Sequence, residues 1–547
     1  MQRVRLLMGA LVGVLLTAPL MALLYLGEQA AGLPFPPFDL FDWLARTLPG
    51  DVIGKSIEVM VDTIREFDLG ETSSAAKRIE TLSGLLMFFG GGVAAGAVLF
   101  WGLARLKNLT GAARYLSGIV IAALLGIPAI LISLKMGVYD TSTTTSVFWL
   151  ALAFFVWGAA LGWSYDRLYP AEFETIPIQT SAPVSAMKIN RREFIIRVGS
   201  STATLTILGA GVGYYLEYAE EKSYRDQIRK NRQAAAATAS KLPNQNDPVI
   251  PAPGTRAEYT PLEDHYRIDI NVRPAEIDAA SWRLNIKGLV DHPLALSIDD
   301  LMNNYEPMDQ YVTLACISNS VGGDLTSTTL WTGACLQDVL ADAGLQPKAA
   351  HLKITSSDGF YETVALDLVN SERRVMLAYH WDGIPLLYEH GYPLRIYIPD
   401  RYGMKQPKWI TDIEVIEHDE EGYWVERGWD KVAQMRATSV VDVAASDSLF
   451  EQDGVTYVPV GGIAHAGARG ISKVEVKVDD GEWAEARLRS PLSDTTWVIW
   501  RYDWPFSDGR HVFEVRCYEG DGTPQIAERQ SSHPSGATGI DRLSRNM

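Results

Sequence analysis

Cys316 closes the run Tyr311-Val312-Thr313-Leu314-Ala315 and is followed by Ser318, Asn319, Gly322 and Gly323. A β-branched and aromatic run that gives way to polar and glycine residues reads as a strand delivering a thiol to the mouth of a loop. A thiolate in that place is a soft ligand for a soft metal, and metal binding removes its proton. A single cysteine does not make a zinc site, and neither CxxC nor HxxxH stands nearby. Taken alone, such a residue is more often a small buried hydrophobe, so its chemistry depends on what surrounds it. Trp331-Thr332-Gly333 then opens the helical pattern CLQDVLADAG.

The elements that must position this thiol sit in a chain of 547 residues, long enough for several domains. The net charge of −17 argues against nucleic acid or an anionic membrane surface as the main partner. The three cysteines all lie beyond residue 315 and far apart, which gives no disulfide framework. All nine histidines lie at or after His265.

Residues 1–217 form a membrane region. Five segments are apolar and long enough to cross a bilayer or nearly so, at roughly 6–26, 81–104, 115–134, 146–166 and 198–216. Positive charge gathers before the first span (Arg3, Arg5), in the second loop (Arg105, Lys107, Arg114) and in the fourth (Arg167, Lys188, Arg191, Arg192, Arg197). These three basic stretches share one side when the N-terminus is cytoplasmic, which puts residues 218–547 outside. Asn190-Arg191-Arg192-Glu193-Phe194-Ile195-Ile196 resembles a twin-arginine export signal, here internal, of the kind that moves folded domains. With no histidine in this region, its helices cannot hold haem between paired histidines. Gly90, Gly91, Gly92 and Gly96 are expected to let helices approach closely. The amphipathic stretch 51–68 is expected as an external interfacial helix. The region as a whole reads as an anchor, a docking surface or a scaffold beside the quinone pool.

Residues 218–257 read as a charged, alanine-rich helix followed by a proline-rich spacer, KLPNQNDPVIPAPG. From 258 to 437, short strands such as Tyr266–Asn271 and Trp282–Gly288 mix with helical pieces near 297–304 and 335–343, an α+β pattern. Residues 438–530 carry alternating runs (TYVPVGGIA, SKVEVKVD, WVIWRYDW, HVFEVRCYE) separated by turn signals, as in an immunoglobulin-like β-sandwich in which Cys517 is a core residue. Residues 531–547 read as a polar, disordered tail.

Seven pieces between 258 and 437 resemble the sulfite oxidase family of molybdopterin enzymes. They are LEDHYRIDI, SWRLNIKGLV, the CISN loop, WTGACLQDVL, SSDGFYETVAL, VMLAYHWDGIPLLYEHGYPLRIYIPDRYG and KQPKWITDIEV, in the family's order. The resemblance continues into the C-terminal runs, which are similar to that family's dimerisation domain, so that it covers about half of the chain. It implies a molybdenum ion held by one molybdopterin and by the thiolate of Cys316, with the neighbouring Asn319 in the cofactor loop. By the same resemblance Arg267 lies near the metal and Tyr379 at the substrate pocket, while Arg469 reaches that pocket from the C-terminal domain. His390 and Arg395 would bind the pterin and its phosphate, and Gly403, Lys405 and Lys408 belong to the loop that closes over the phosphate end. A phosphate needs fixed cations and backbone N–H donors, so these residue types suit the role. The sequence departs from sulfite oxidases proper after Cys316, where Asn319 is followed by Ser320 and Val321 instead of arginines, and a second pocket tryptophan is missing. Both departures weaken sulfite as the substrate.

The expectation is a membrane-anchored molybdenum oxidoreductase, cycling Mo(VI) and Mo(IV) as an oxygen atom moves to or from a small oxyanion or an S- or N-oxide. Its electron partner would be another subunit or the quinone pool, and a homodimer is implied by the dimerisation domain. Two rivals stand beside it: a quinol-fed reductase, for example of sulfoxides, and a metal-free extracellular binding protein on the same fold.

Overall fold

The computed structural model describes residues 2–106, 109, 111–137, 139, 141–170, 191–236 and 241–547. Lys107, Lys188 and Asn190 of the basic loops and export motif lie outside the described residues. The chain divides into two compact units. The smaller comprises Met1–Thr47 and Arg78–Gln227, and the larger comprises Leu48–Lys77 and Ile228–Met547.

Helices dominate the first part of the chain: α1 (Gln2–Ala31), α2 (Pro36–Thr47), α3 (Gly50–Glu66), α4 (Thr72–Arg105), α5 (Gly111–Met136), α6 (Thr143–Leu168) and α7 (Arg191–Ala236). Among the described residues, α1, α4, α5, α6 and α7 are long and apolar enough to cross a membrane, matching the five expected segments. Lipid is as apolar as leucine, so close backbone approach rather than the hydrophobic effect holds such helices together. A Cβ at Gly9 would collide with the Gly96 carbonyl and one at Gly118 with the Gly158 carbonyl, while one at Gly13 would lie 2.9 Å from the Gly92 carbonyl. Gly92 and Gly96 thus serve the expected close packing. Gly90 and Gly91 do not: a side chain there would meet nothing within 4 Å.

The larger unit corrects two expectations about connecting segments. Helix α3 belongs to this unit and buries Gly54, Val61 and Ile64, so its apolar face packs on protein rather than lying free as an interfacial helix. The proline-rich segment is not a spacer either. Asn244, Val249 and Ala252 are buried, and Arg489 donates to the Asn244 and Val249 carbonyls at 3.0 Å each while pairing with Glu258 at 3.0 Å.

Two sheets then share one core. In the first, β1 (Leu284–Gly288), β2 (Leu294–Leu296), β5 (His351–Ser356), β6 (Tyr361–Ala365) and β10 (Ile410–Ile416) run in the order β2-β1-β10-β5-β6, with β1 parallel to β10. The second contains β3 (Pro307–Ala315), β4 (Thr326–Cys335), β7 (Met376–Trp381) and β8 (Ile384–Pro385) in that order, with β9 (Arg395–Tyr397) also paired to β7. Leu284, Ile286, Leu352, Ile354 and Ile413 of the first sheet meet Leu377, Tyr379 and Ile396 of the second, together with Leu336, Val339 and Leu340 of the helix Leu336–Ala343. Burial of so many branched side chains, each contributing about 1.5–3 kcal/mol, fixes the frame on which the loops stand. Residues 266–271, expected as a strand, are irregular instead: their polar groups bind side chains, as shown below, rather than a neighbouring strand.

The C-terminal part forms two antiparallel sheets around a second core containing Val458, Val460, Val474, Trp500, Phe513, Val515 and Cys517. Each of the four expected runs falls on a strand, Val455–His465, Ile471–Val478, Val498–Pro505 and Arg510–Glu519, with only Asp479 and Trp497 of the runs just outside. The tail departs from expectation. Asp541–Asn546 pairs antiparallel with Arg510–Glu519, and Thr538 is fully buried, so residues beyond 530 close the edge of a sheet instead of trailing into solvent.

Candidate cofactor site

Strands β3 and β4 pair up to Ala315 and Thr326, so residues 316–325 form the loop of a long hairpin. The loop is closed by its own backbone: Cys316 N donates to Leu325 O at 2.9 Å, and Asn319 N donates to Cys316 O at 3.1 Å. Asn319 Oδ1 accepts from Leu325 N at 3.0 Å, which makes this side chain a staple of the loop. Ala315 and Ile317, on either side of Cys316, pack with Tyr402, Met404, Trp429, Ala433 and Met435. Cys316 itself is 9% exposed, with its sulfur 3.0 Å from the Ser318 hydroxyl. Burial pushes the thiol up, and the Ser318 contacts oppose this.

Tyr266 links the thiol to a buried group of cations and aromatic rings. Its backbone N–H donates to Ser327 Oγ of β4 at 3.1 Å. Burial drives the phenol well above its ordinary range; the Cys316 charge adds to that shift and Arg395 opposes it, so Tyr266 lies within electrostatic reach of both. Gly403 comes so close that a Cβ there would stand 3.1 Å from the Tyr266 hydroxyl. Beyond Tyr266, the His265 ring lies 5.0 Å from His390 and 5.2 Å from Trp381, and Trp381 lies 4.6 Å from His390. Arg395, at the head of β9, donates to the His390 carbonyl at 3.1 Å and lies 4.6 Å over the Trp331 ring. Gly391, at φ +108°, lets the chain turn between them, where a Cβ would press on Arg395 and Lys408 at 3.1 Å.

The third part of the cluster is Asp269, whose side chain is only 1% exposed. Its carboxylate meets Arg267 Nε at 2.8 Å, Lys408 Nζ at 3.2 Å and Lys77 Nζ at 2.9 Å. Burial alone would raise this carboxyl; Arg267, Lys408 and Lys77 overcome it and hold the group well below the usual carboxylate range. Burial pulls Lys408 down to about 8 despite Asp269. It also depresses both histidines, His265 to about 3, with Arg395 and Lys408 adding to the shift.

The expected residues therefore divide. Cys316, Gly403, His390, Arg395, Lys408 and Arg267 converge. Lys405 is held elsewhere, in a buried ion pair with Glu362 at 2.7 Å. Tyr379 sits in the main apolar core. Arg469 pairs with Asp400 and with Glu519, and donates to the Met435 carbonyl at 2.6 Å, which ties three segments together. It also lines a cavity of about 540 Å³ whose walls include none of Cys316, His390 or Arg395. His265, Tyr266, Trp331, Trp381, Asp269 and Lys77 were missed by sequence reasoning. HYRID carried a signal for the first two, since His265 and Tyr266 directly precede the singled-out Arg267 in the same run. Lys77 carried none.

Three polar atoms of this cluster are buried without a partner: His265 Nε2, Trp381 Nε1 and Arg395 Nε. His265 Nδ1 lies 3.1 Å from the Tyr266 carbonyl, which assigns its proton to Nδ1 and leaves Nε2 an acceptor, whereas the other two atoms are donors. Unpaired buried groups cost about 1–3 kcal/mol each, so the cluster suits a ligand bearing both donors and acceptors. Arg395, Arg267, Lys408 and Lys77 against Asp269 leave it net positive, which suits an anion. Among the described residues no group of three His, Cys, Asp or Glu side chains could hold a metal. An ion at Cys316 must bring other ligands with it. A pterin with a phosphate tail and a dithiolene fits all three requirements.

Comparison with known proteins agrees. Residues 271–424 match the oxidoreductase molybdopterin binding domain. The larger unit thus carries an oxidoreductase molybdopterin binding domain. Nitrate reductase [NAD(P)H] of Hordeum vulgare is 24% identical over 51% of this chain and 38% of its own length. Mitochondrial sulfite oxidase of Macaca fascicularis is 29% identical over 44% of this chain and 52% of its own. The chain thus spans about a third to a half of these relatives. The crystal structure of the sulfane dehydrogenase SoxCD from Paracoccus pantotrophus aligns with a TM-score of 0.48 at 20% identity, covering 53% of this chain and 81% of that one. Molybdopterin with molybdenum is the cofactor of this domain.

Burial of neutral histidines in the molybdopterin domain and beyond it has a consequence for stability. His265 is depressed to about 3 and His465, also by burial, to about 4. Unfolding lets each take up a proton near the ordinary value, so their contribution is whole above about 6.5 and is lost as pH falls toward the folded values. Lowering pH from 7.5 to 5.5 is expected to cost on the order of 1 kcal/mol per histidine. The urea midpoint of the purified chain at the two pH values checks this, and an unchanged midpoint would contradict it.

Proposed function

We propose that this chain is a membrane-anchored molybdenum oxidoreductase that moves an oxygen atom to or from a small oxyanion, with its larger unit outside the cytoplasmic membrane. The observation that carries the reading is the buried thiol of Cys316 joined through Tyr266 to a net-positive pocket with unpartnered donors and an unpartnered acceptor. Molybdopterin, when bound, supplies the two-electron chemistry. The chain supplies Cys316 as the protein ligand, Arg395 and Lys408 for anionic groups of the cofactor, and Arg267, paired with Asp269, as a further cation of the pocket. Tyr266 and Tyr402, both buried, keep water from the thiol. Lys405 and Asn319 act by holding the 403–405 turn and the Cys316 loop. The two C-terminal sheets are read as the family's immunoglobulin-like dimerisation domain, and electrons pass to a partner subunit or the quinone pool.

Chain continuity supports the topology. The larger unit takes in residues up to Lys77 and resumes at Ile228, with four long apolar helices, α4 to α7, between them. An even number of crossings returns the chain to the side it left, and the positive-inside bias makes that side external.

The test is molybdenum and pterin content of the detergent-purified chain, followed by oxygen-atom transfer assays with sulfite and nitrate, the substrates named in the relatives. About one metal and one pterin per chain is the expected result. Protein that holds neither, even from a host making the cofactor, would sink the reading and favour an extracellular binding role. A reporter active only in the cytoplasm, fused after residue 240, is expected to stay silent.

A further inference from the structure

Segment Leu48–Lys77 is joined in sequence to predicted membrane spans, yet its side chains reach the two stretches that flank the thiol. Lys77 uses its ammonium fully: Asp269 Oδ1 at 2.9 Å, the Asp269 carbonyl at 3.0 Å and the Asn271 carbonyl at 2.8 Å. It therefore fixes both the carboxylate shared by Arg267 and Lys408 and the irregular backbone just after Arg267. At the first turn of α4, Thr72 N donates to Asp324 Oδ2 at 2.8 Å, one residue before the end of the Cys316 loop at Leu325. Arg65 adds a contact to the Val321 carbonyl in the same loop. At the other end of the segment, Gly50 abuts the Arg427 backbone so closely that a Cβ would stand 2.5 Å from its Cα.

We propose that Leu48–Lys77 is a clasp that completes the cofactor site, with Lys77 as a positioning residue for Arg267 and Lys408 and Thr72 as the latch of the Cys316 loop. The inference rests on the reading of this pocket as the molybdopterin site. With Lys77 in place, Asp269 is oriented from one side and its charge is offset, so Arg267 and Lys408 keep positive charge for an anionic ligand. Without it, the carboxylate is left to those two cations alone, and the carbonyls of Asp269 and Asn271 lose a buried donor. Residues that orient direct ligands in this way typically change affinity 10–100-fold when removed.

The experiment uses the full-length chain in detergent, with Lys77→Met and Lys77→Arg purified beside the unaltered protein and bound pterin counted per chain. Lys77→Met is expected to retain about a tenth of the pterin, and Lys77→Arg to recover most of it, because a guanidinium can still meet carboxylate and carbonyl. Undiminished pterin in Lys77→Met overturns the proposal. So does a loss that Lys77→Arg fails to recover, the pattern of a packing role. An unaltered chain without pterin overturns the underlying function and the clasp with it. Asp324→Ala, at an exposed position, keeps the latch testable if Lys77→Met does not accumulate. In cofactor-free chain it is expected to speed alkylation of Cys316 by about tenfold, and an unchanged rate overturns the latch.

Discussion

Cys316→Ser is expected to lower turnover by at least about a thousandfold while leaving bound pterin within about twofold of the unaltered chain. A serine oxygen is a harder and weaker electron donor than a thiolate, so the metal loses the ligand that tunes its potential. The pterin is expected to lose little, because Arg395, His390 and Lys408 would hold it away from the sulfur in the proposed site. Serine is close in size to cysteine, and the loop is held by the Cys316 N–H to Leu325 and the Asn319 staple, neither of which involves the side chain of residue 316. Cys335 and Cys517 serve as controls. Both are buried, and Cys517 bonds Gln525 at 3.1 Å within the C-terminal core, so serine there is expected to cost modest stability and no turnover. Turnover of the Cys316 variant near that of the unaltered chain, or equal losses in all three variants, would refute the ligand assignment.

Arg395→Met is expected to act with opposite signs on stability and on cofactor retention. Arg395 is 4% exposed, and among the described residues no carboxylate pairs with it; burial pulls it down to about 10. Exchanging an incompletely compensated buried charge for an apolar chain of similar length is often neutral or stabilising, here by about 1 kcal/mol in cofactor-free protein. The same change removes the unpartnered Nε–H and a cation from the pocket, and bound pterin is expected to fall at least about tenfold. Urea unfolding of cofactor-free chain and pterin counts of loaded chain read the two effects separately. Parallel losses in both would assign Arg395 to the frame rather than to the ligand.

These residues differ in how visible they were in the sequence. Cys316, His390 and Arg395 were legible because each sits in a short local pattern: a strand end before a polar loop, and the HGYPLR run. The long apolar helices were legible for the same reason, since composition over 20 residues decides them. Lys405 was assigned by its place in the loop, while sequence cannot show that Glu362, 43 residues away in the chain, is fully buried and pairs with it. The tail was misread because its polar residues lie on a sheet edge, where alternating exposure hides the strand. Arg469 was assigned by its surroundings in sequence, while its partners Asp400 and Glu519 lie 69 and 50 residues away.

The clasp also dictates an order of events during synthesis. Lys77, in the second turn of α4, and Asp269 are 192 residues apart, with the rest of α4 and α5 to α7 between them. Contacts of such long sequence separation form late, after local hairpins and helices have closed. The hairpin carrying Cys316 and the turn at 403–405 can therefore assemble, and accept a cofactor, before the clasp arrives from the far end of the chain. Docking of the proposed clasp would then be the closing step of maturation, and escape of the pterin from finished protein would require its opening rather than a simple dissociation.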